Sequence, residues 1–319
     1  MSSPIASSPN ASHRLGWIPA LASILVLALG TGAIPPPPAG PDGTQLVWTT
    51  ADGGAGSLRQ AIADAASGDT IYFGGNLSGQ TITLSSTLAI TKNLTIQGVG
   101  LAMPIMISGN NAVRVLLVSN NARVTLANLT LARGKDSGTS CASAASCGGG
   151  LRVDAGAVVT LTDSTVLSNT GYSGGGIYNT GVLTVLNSTL LGNLATSAGG
   201  GIANSTPGAL FVLNSTLSGN TGPNGGGIFN EDALTLLNST LSGNIGTGSA
   251  GGGLRDTSSE LVMRNTLIAN SAGGDCVKPS GIILANVRNL VEDGGCSAAL
   301  SGDPALVPLA GNGGGTLTH

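Results

Sequence analysis

Residues 174–204, GGGIYNTGVLTVLNSTLLGNLATSAGGGIAN, contain one whole unit of a repeat and the opening of the next. A Gly-Gly-Gly triplet recurs with its first residue at Gly148, Gly174, Gly199, Gly225 and Gly251, giving spacings of 26, 25, 26 and 26. A second line travels with it. Leu186–Asn193 (LNSTLLGN) returns as Leu213–Asn220 and Leu237–Asn244, and more loosely as Thr162–Asn169 and Met263–Asn270. Between these lines lie short alternations such as Leu183-Thr184-Val185 and Leu234-Thr235-Leu236. Alternation at period two gives half-buried strands, and Gly and Asn supply the turns between them.

A unit of about 25 residues holds three short strands and three turns, with no room for a helix as well. Stacked units set each strand beside its copy, parallel and about 4.8 Å away. Inward Leu, Val and Ile then form apolar ladders, and Asn193, Asn220, Asn244 and Asn270 are placed to form an amide ladder along one turn. The expected fold is all-β: a right-handed parallel β-helix, a solenoid of about 25 residues per coil, with a short N-terminal capping helix.

Composition agrees. Of 319 residues 52 are Gly, over twice the usual share of ~7%. Only 8% are charged while 41% are apolar, which is not the signature of disorder. Low charge suits stacked units, because identical charges would repel rung on rung. With a net charge of -3, three lysines and no basic run, nucleic-acid binding is excluded.

The chain divides by composition. Residues 1–34 carry an apolar run from Leu15 to Ile34 closed by small residues, which reads as a signal peptide or an uncleaved N-terminal anchor. Residues 35–44 are a Pro-rich linker, 45–80 an N-terminal cap, 81–270 the coils and 271–319 a C-terminal cap. In the N-terminal cap, Ser57–Ala66 is the expected helix, with Ser57 as N-cap and Gln60 in the capping-box position, followed by strand Thr70–Phe73. The four cysteines form two local pairs, Cys141 with Cys147 and Cys276 with Cys296. In an exported chain these are disulfide candidates; free thiols are the alternative, and no His lies nearby to favour a metal.

The triplet and LxGN lines resemble the repeats of secreted bacterial right-handed parallel β-helix proteins, including the GGAI/FxxN repeats of chlamydial polymorphic outer membrane proteins. Leu190, Leu217, Leu241 and Leu267 stand where that family has Phe. Gly56–Ile62 is similar to the N-terminal CSLREA region of such proteins, with Gly56 in place of Cys and Gln60 in place of Glu. Asp303–His319 resembles the start of a choice-of-anchor Q region. The resemblance implies this fold, export and surface attachment; relatives run on to an anchoring tail, so the chain is expected to be truncated at His319. It does not imply an activity, since one fold hosts many functions.

Two function classes therefore remain. The first is an exported cell-surface or secreted solenoid, a non-catalytic adhesin-like or structural module, whose partner is an extracellular polysaccharide or cell-surface component. It needs no cofactor and meets the membrane only through its N-terminal segment. The second is a calcium-dependent polysaccharide lyase of the pectate-lyase type, or another carbohydrate-active enzyme, which needs carboxylates on adjacent coils and, for a lyase, a cationic base. The best local set is Glu231, Asp232 and Asp256 with Arg255; Asp232 and Asp256 are 24 residues apart, nearly one coil. Tyr178 and Phe229 occupy one repeat position and are the candidates for sugar stacking. The hydroxyl rows Ser188/Thr189, Ser215/Thr216 and Ser239/Thr240 raise a third option, ice binding.

Overall fold

The computed structural model describes residues 43–311 and 316–319, except 137, 139–140, 142–146 and 249. The signal or anchor segment and all but the end of the Pro-rich linker lie outside the described residues. The chain forms a parallel β-solenoid of about nine turns with about 26 residues per turn. Three long parallel sheets run its length. The first has ten strands, from Thr44–Val47 to Ile282–Val287, the second nine, from Thr81–Thr83 to Leu290–Val291, and the third eight, from Leu88–Ile90 to Cys276–Val277. A fourth sheet of four strands, Thr170–Ser173, Leu194–Ala198, Thr221–Gly222 and Ile245–Gly246, fills the corner between the second and third.

In the unit quoted above, Val182–Leu186 lies in the first sheet, Thr189–Leu191 in the second, Leu194–Ala198 in the fourth and Ile202–Asn204 in the third. Register follows the repeat: Leu183 pairs with Leu210, Leu190 with Leu217 and Ile177 with Ile202. These side chains are wholly buried or nearly so, each stabilising the coil by about 1.5–3 kcal/mol.

The corners explain the polar part of the repeat. Between first and second sheets, Asn187, Asn214 and Asn238 take left-handed backbone (φ 47°, 49° and 51°), which Asn tolerates. The next residue turns inward: Ser188 Oγ donates to Leu186 O at 2.7 Å and accepts the Ser164 N–H at 3.1 Å. After the second sheet comes the buried amide ladder. Asn169 Nδ2 donates to Asn193 Oδ1 (3.0 Å), Asn193 to Asn220 (2.9 Å) and Asn220 to Asn244 (3.0 Å). Asn270 does not join it: it is exposed, and its N–H donates to Glu292.

The glycine triplets then pack backbone on backbone. Gly200 N–H donates to Gly225 O at 3.2 Å, and a Cβ at Gly200 would lie 2.4 Å from Thr221 O and 2.5 Å from Gly226 O. No other residue fits that spacing.

The helix is shorter than expected, Leu58–Asp64, and Ser57 caps it by accepting the Gln60 N–H at 3.1 Å. The reciprocal half of the capping box is not made; Gln60 Nε2 donates to Asp64 instead. Strand Thr70–Phe73 forms as expected and pairs with Thr44–Val47, so the cap already belongs to the first sheet. At the other end the sheets run past residue 270, through Cys276–Val277, Ile282–Val287 and Leu290–Val291.

Both cysteine pairs are disulfides. Cys276–Cys296 ties the last third-sheet strand to the turn Gly295–Ser297. Cys141–Cys147 closes a loop between Ala132 of the second sheet and Leu151 of the third.

Candidate functional site

The outward column of the third sheet holds three of the candidate residues, Tyr178, Phe229 and Arg255. Strand register places Arg152, Tyr178, Ala203, Phe229 and Arg255 on successive rungs. Phe229 thus lies beside Arg255, and both are half-buried. Tyr178 is not an open platform. It is 7% exposed, packed with Cys147, Ala203, Cys141 and Tyr172, and the Arg152 guanidinium lies 5.4 Å from its ring centroid. Arg152 also pairs with Asp154 at 2.6 Å.

Next to Cys147, Arg114 is buried and donates to the carbonyls of Gly148 and Cys147. Burial pushes its pKa down to about 10, with the nearby Arg152 charge adding to the shift and Asp136 and Asp154 opposing it. Asp136 accepts the N–H groups of Gly138 and Tyr172. Arg114 and Asp136 both lie outside the triplet and LxGN lines, so no repeat marks them.

The acids separate. Strand register sets Asp256 beside Asn230, not beside Asp232. Asp256 is wholly buried at the end of a second amide ladder: Asn179 Nδ2 donates to Asn204, Asn204 to Asn230 and Asn230 to Asp256 Oδ1, each at 2.7 Å. Ser258 Oγ donates to the same oxygen at 2.7 Å, and Lys278 Nζ meets Oδ2 at 2.7 Å. Asp232 sits at the surface corner and accepts its neighbour's N–H, from Ala233; Glu231 is exposed. Among the described residues, no group of three or more His, Cys, Asp or Glu is placed to hold a metal ion.

Other acids serve the backbone too. Asp275 and Asp293 exchange bonds, each carboxylate accepting the other's N–H. Burial pushes the Asp275 carboxyl above its usual range, as does the Asp293 charge, against the lowering effect of N–H donors from Ser271 and Asp293. Asp52 is held below its usual range: its partial burial acts upward, and the Ser85 hydroxyl and N–H with Arg59 outweigh it. A cleft of about 320 Å³ near the C-terminal end is lined by Lys278, Ile283, Asn286 and Cys296 among others, and the Lys278 charge there is already spent on Asp256.

The hydroxyl rows are not a free face either. Ser188, Ser215 and Ser239 are buried in the corner. Thr189 and Thr216 are buried where the C-terminal segment runs over the second sheet. Thr316 Oγ1 donates to Asn187 O at 3.1 Å and Thr189 Oγ1 to Leu317 O at 2.8 Å. His319 Nδ1 lies 2.9 Å from Val307 O, and Nε2 lies 3.1 Å from Ser218 Oγ. A carbonyl only accepts, so Nδ1 carries the hydrogen and, in the neutral ring, Ser218 donates to Nε2.

No helix among the described residues is long and apolar enough to cross a membrane. No protein-family model matches the chain, and no curated protein matches it.

Proposed function

We propose that this protein is an exported solenoid, secreted or held at the cell surface, that works as an adhesin-like or structural module and not as an enzyme. The observation that carries this reading is the use made of its carboxylates. Asp256 ends a ladder against Lys278, Asp154 holds Arg152, Asp52 ties Arg59 and Ser85, and Asp275 and Asp293 bind each other's backbone. An acid–base pair or a calcium site needs carboxylates turned toward a ligand, and these are turned toward the fold. Export is supported by the two disulfides, which persist in oxidising compartments, by the apolar run 15–34, and by the resemblance to exported bacterial β-helix proteins.

The test is surface labelling of intact host cells combined with trapping of free thiols. This reading expects label on the protein, or the protein in the medium, with all four cysteines oxidised. A cytoplasmic pool with free Cys276 and Cys296 overturns it.

A further inference from the structure

Two faces of the solenoid are covered in part by its own chain: the third sheet by the Cys141–Cys147 disulfide packed with Tyr178, and the second by the segment ending at His319. Among the described residues, nothing is seen to cover the outer face of the first sheet. Val182 and Phe211 there are 37% and 38% exposed, and the strands from Val158–Thr162 to Ala233–Leu237 carry no charged side chain.

The charges that do occur bracket this uncharged stretch. One outward column reads Arg123, Val158, Val182, Ala209, Ala233 and, at the head of the next strand, Glu260. Glu260 opens strand Glu260–Arg264, whose Leu261 pairs with Leu234, the residue after Ala233. Arg123 and Glu260 are both exposed, and neither forms an ion pair among the described residues. One column thus has a cation at one end, an anion at the other and four small or apolar residues between.

We propose that this face docks a second copy of the same chain about a two-fold axis along the strands, midway between Val182–Leu186 and Ala209–Leu213. Such an axis reverses the order of rungs and keeps each column opposite itself, so Arg123 meets the second copy's Glu260 and Glu260 meets its Arg123. At the centre, Leu186 faces the second copy's Leu213 and Thr184 its Phe211, which lets the protruding ring seat over a smaller side chain. The middle of the face has no charge to repel its copy, and an isologous contact of this kind closes as a dimer. Eight strands overlap, about 4.8 Å apart and about 17 Å long, which gives roughly 600 Å² per copy. That is below the ~800 Å² per partner of a standard interface, so the dimer dissociates on dilution.

The test is sedimentation of the full chain across a concentration series, in mild non-ionic detergent so that residues 15–34 cannot drive association. Wild type, Arg123→Glu, Glu260→Arg and the double exchange are compared, with circular dichroism confirming that each is folded. A concentration-dependent dimer is expected for wild type. Each single reversal makes both symmetry-related pairs repulsive and weakens the dimer by about tenfold or more. The double exchange restores both pairs and returns the affinity to near the wild-type value. A wild type that stays monomeric at the highest attainable concentration overturns the proposal, as do single reversals without effect or a double exchange that does not restore association.

Discussion

Lys278 Nζ stands 2.7 Å from Asp256 Oδ2, with the two side chains 4% and 0% exposed. The pair closes the amide ladder that runs through Asn179, Asn204 and Asn230. Each Asn passes a hydrogen to the next rung. A final Asn would have its own amide hydrogens left to place, whereas a carboxylate only accepts. Its buried charge then needs a cation, and Lys278 supplies it from the following coil.

That arrangement predicts strong coupling. Lys278→Met leaves a buried carboxylate without its counter-charge and costs about 3–5 kcal/mol. Asp256→Asn strands the ammonium in the same way. The double variant removes both charges and is expected to be more stable than either single. Solenoids can open coil by coil, so hydrogen exchange over residues 254–291 is the readout, beside the melting temperature. Additive single effects would contradict the pairing.

The glycine triplets separate close approach from backbone conformation. Gly200→Ala drives a Cβ against two fixed carbonyls and is expected to prevent folding of the neighbouring coils or to cost more than about 3 kcal/mol. Gly243 has φ +62° and open space around it, so Gly243→Ala costs only the left-handed conformation, about 1 kcal/mol. Denaturant titration of the two variants checks the order.

Buried and exposed amide ladders are expected to differ in the same assay. Asn193→Ala removes the acceptor of the Asn169 N–H and amide and the donor to Val166 O, leaving buried groups unpaired at about 1–3 kcal/mol each. Asn187 lies in the exposed row, where Asn214 Nδ2 donates to its Oδ1 at 3.2 Å. Water replaces that bond, and Asn187→Ala is expected to cost about 1 kcal/mol, mostly for its left-handed backbone. Equal losses would show that the buried ladder is not a principal support.

Acid is expected to act oppositely on the two ends. Asp52 has a lowered pKa in the fold, so its contribution is present above the ordinary 3.8 and is lost as pH falls through the folded value. Asp275 is raised from 3.8; its contribution is present below 3.8 and is lost as pH rises toward the folded value. Local hydrogen exchange should therefore show the contact between Asp52 and Ser85 loosening in acid, while the turn joining Asp275 to Asp293 does not. Loosening of both together would contradict the assignment.

The repeat made most of this architecture legible. The triplet spacing and the LNST line name the strands, their parallel register and the ladder through Asn193, Asn220 and Asn244. Equal spacing along the chain is a poorer guide to which residues touch. Asp232 and Asp256 are 24 residues apart, yet the rung that holds Asp256 is paired to Asn230, 26 residues back; the corner at 231–232 absorbs the difference. Asn270 drops from its ladder because the following coil offers Glu292 to its N–H in place of another Asn. Lys278 left only a faint signal, a lone lysine 22 residues after Asp256. The burial of Thr189 by Leu317 joins residues 128 apart, across a segment with no repeat to fix its path.

On the proposed reading, the carboxylates packed into this solenoid, such as Asp256 and Asp275, serve its fold and not a reaction. The most direct measurement is product formation from a panel of acidic polysaccharides, with calcium and with chelator, followed by ultraviolet absorbance of unsaturated ends and by reducing-sugar release. No product above the buffer control is expected, with or without calcium, for wild type and Asp232→Ala alike. Calcium-dependent product that disappears in Asp232→Ala would contradict it and place a catalytic site at the 231–232 corner.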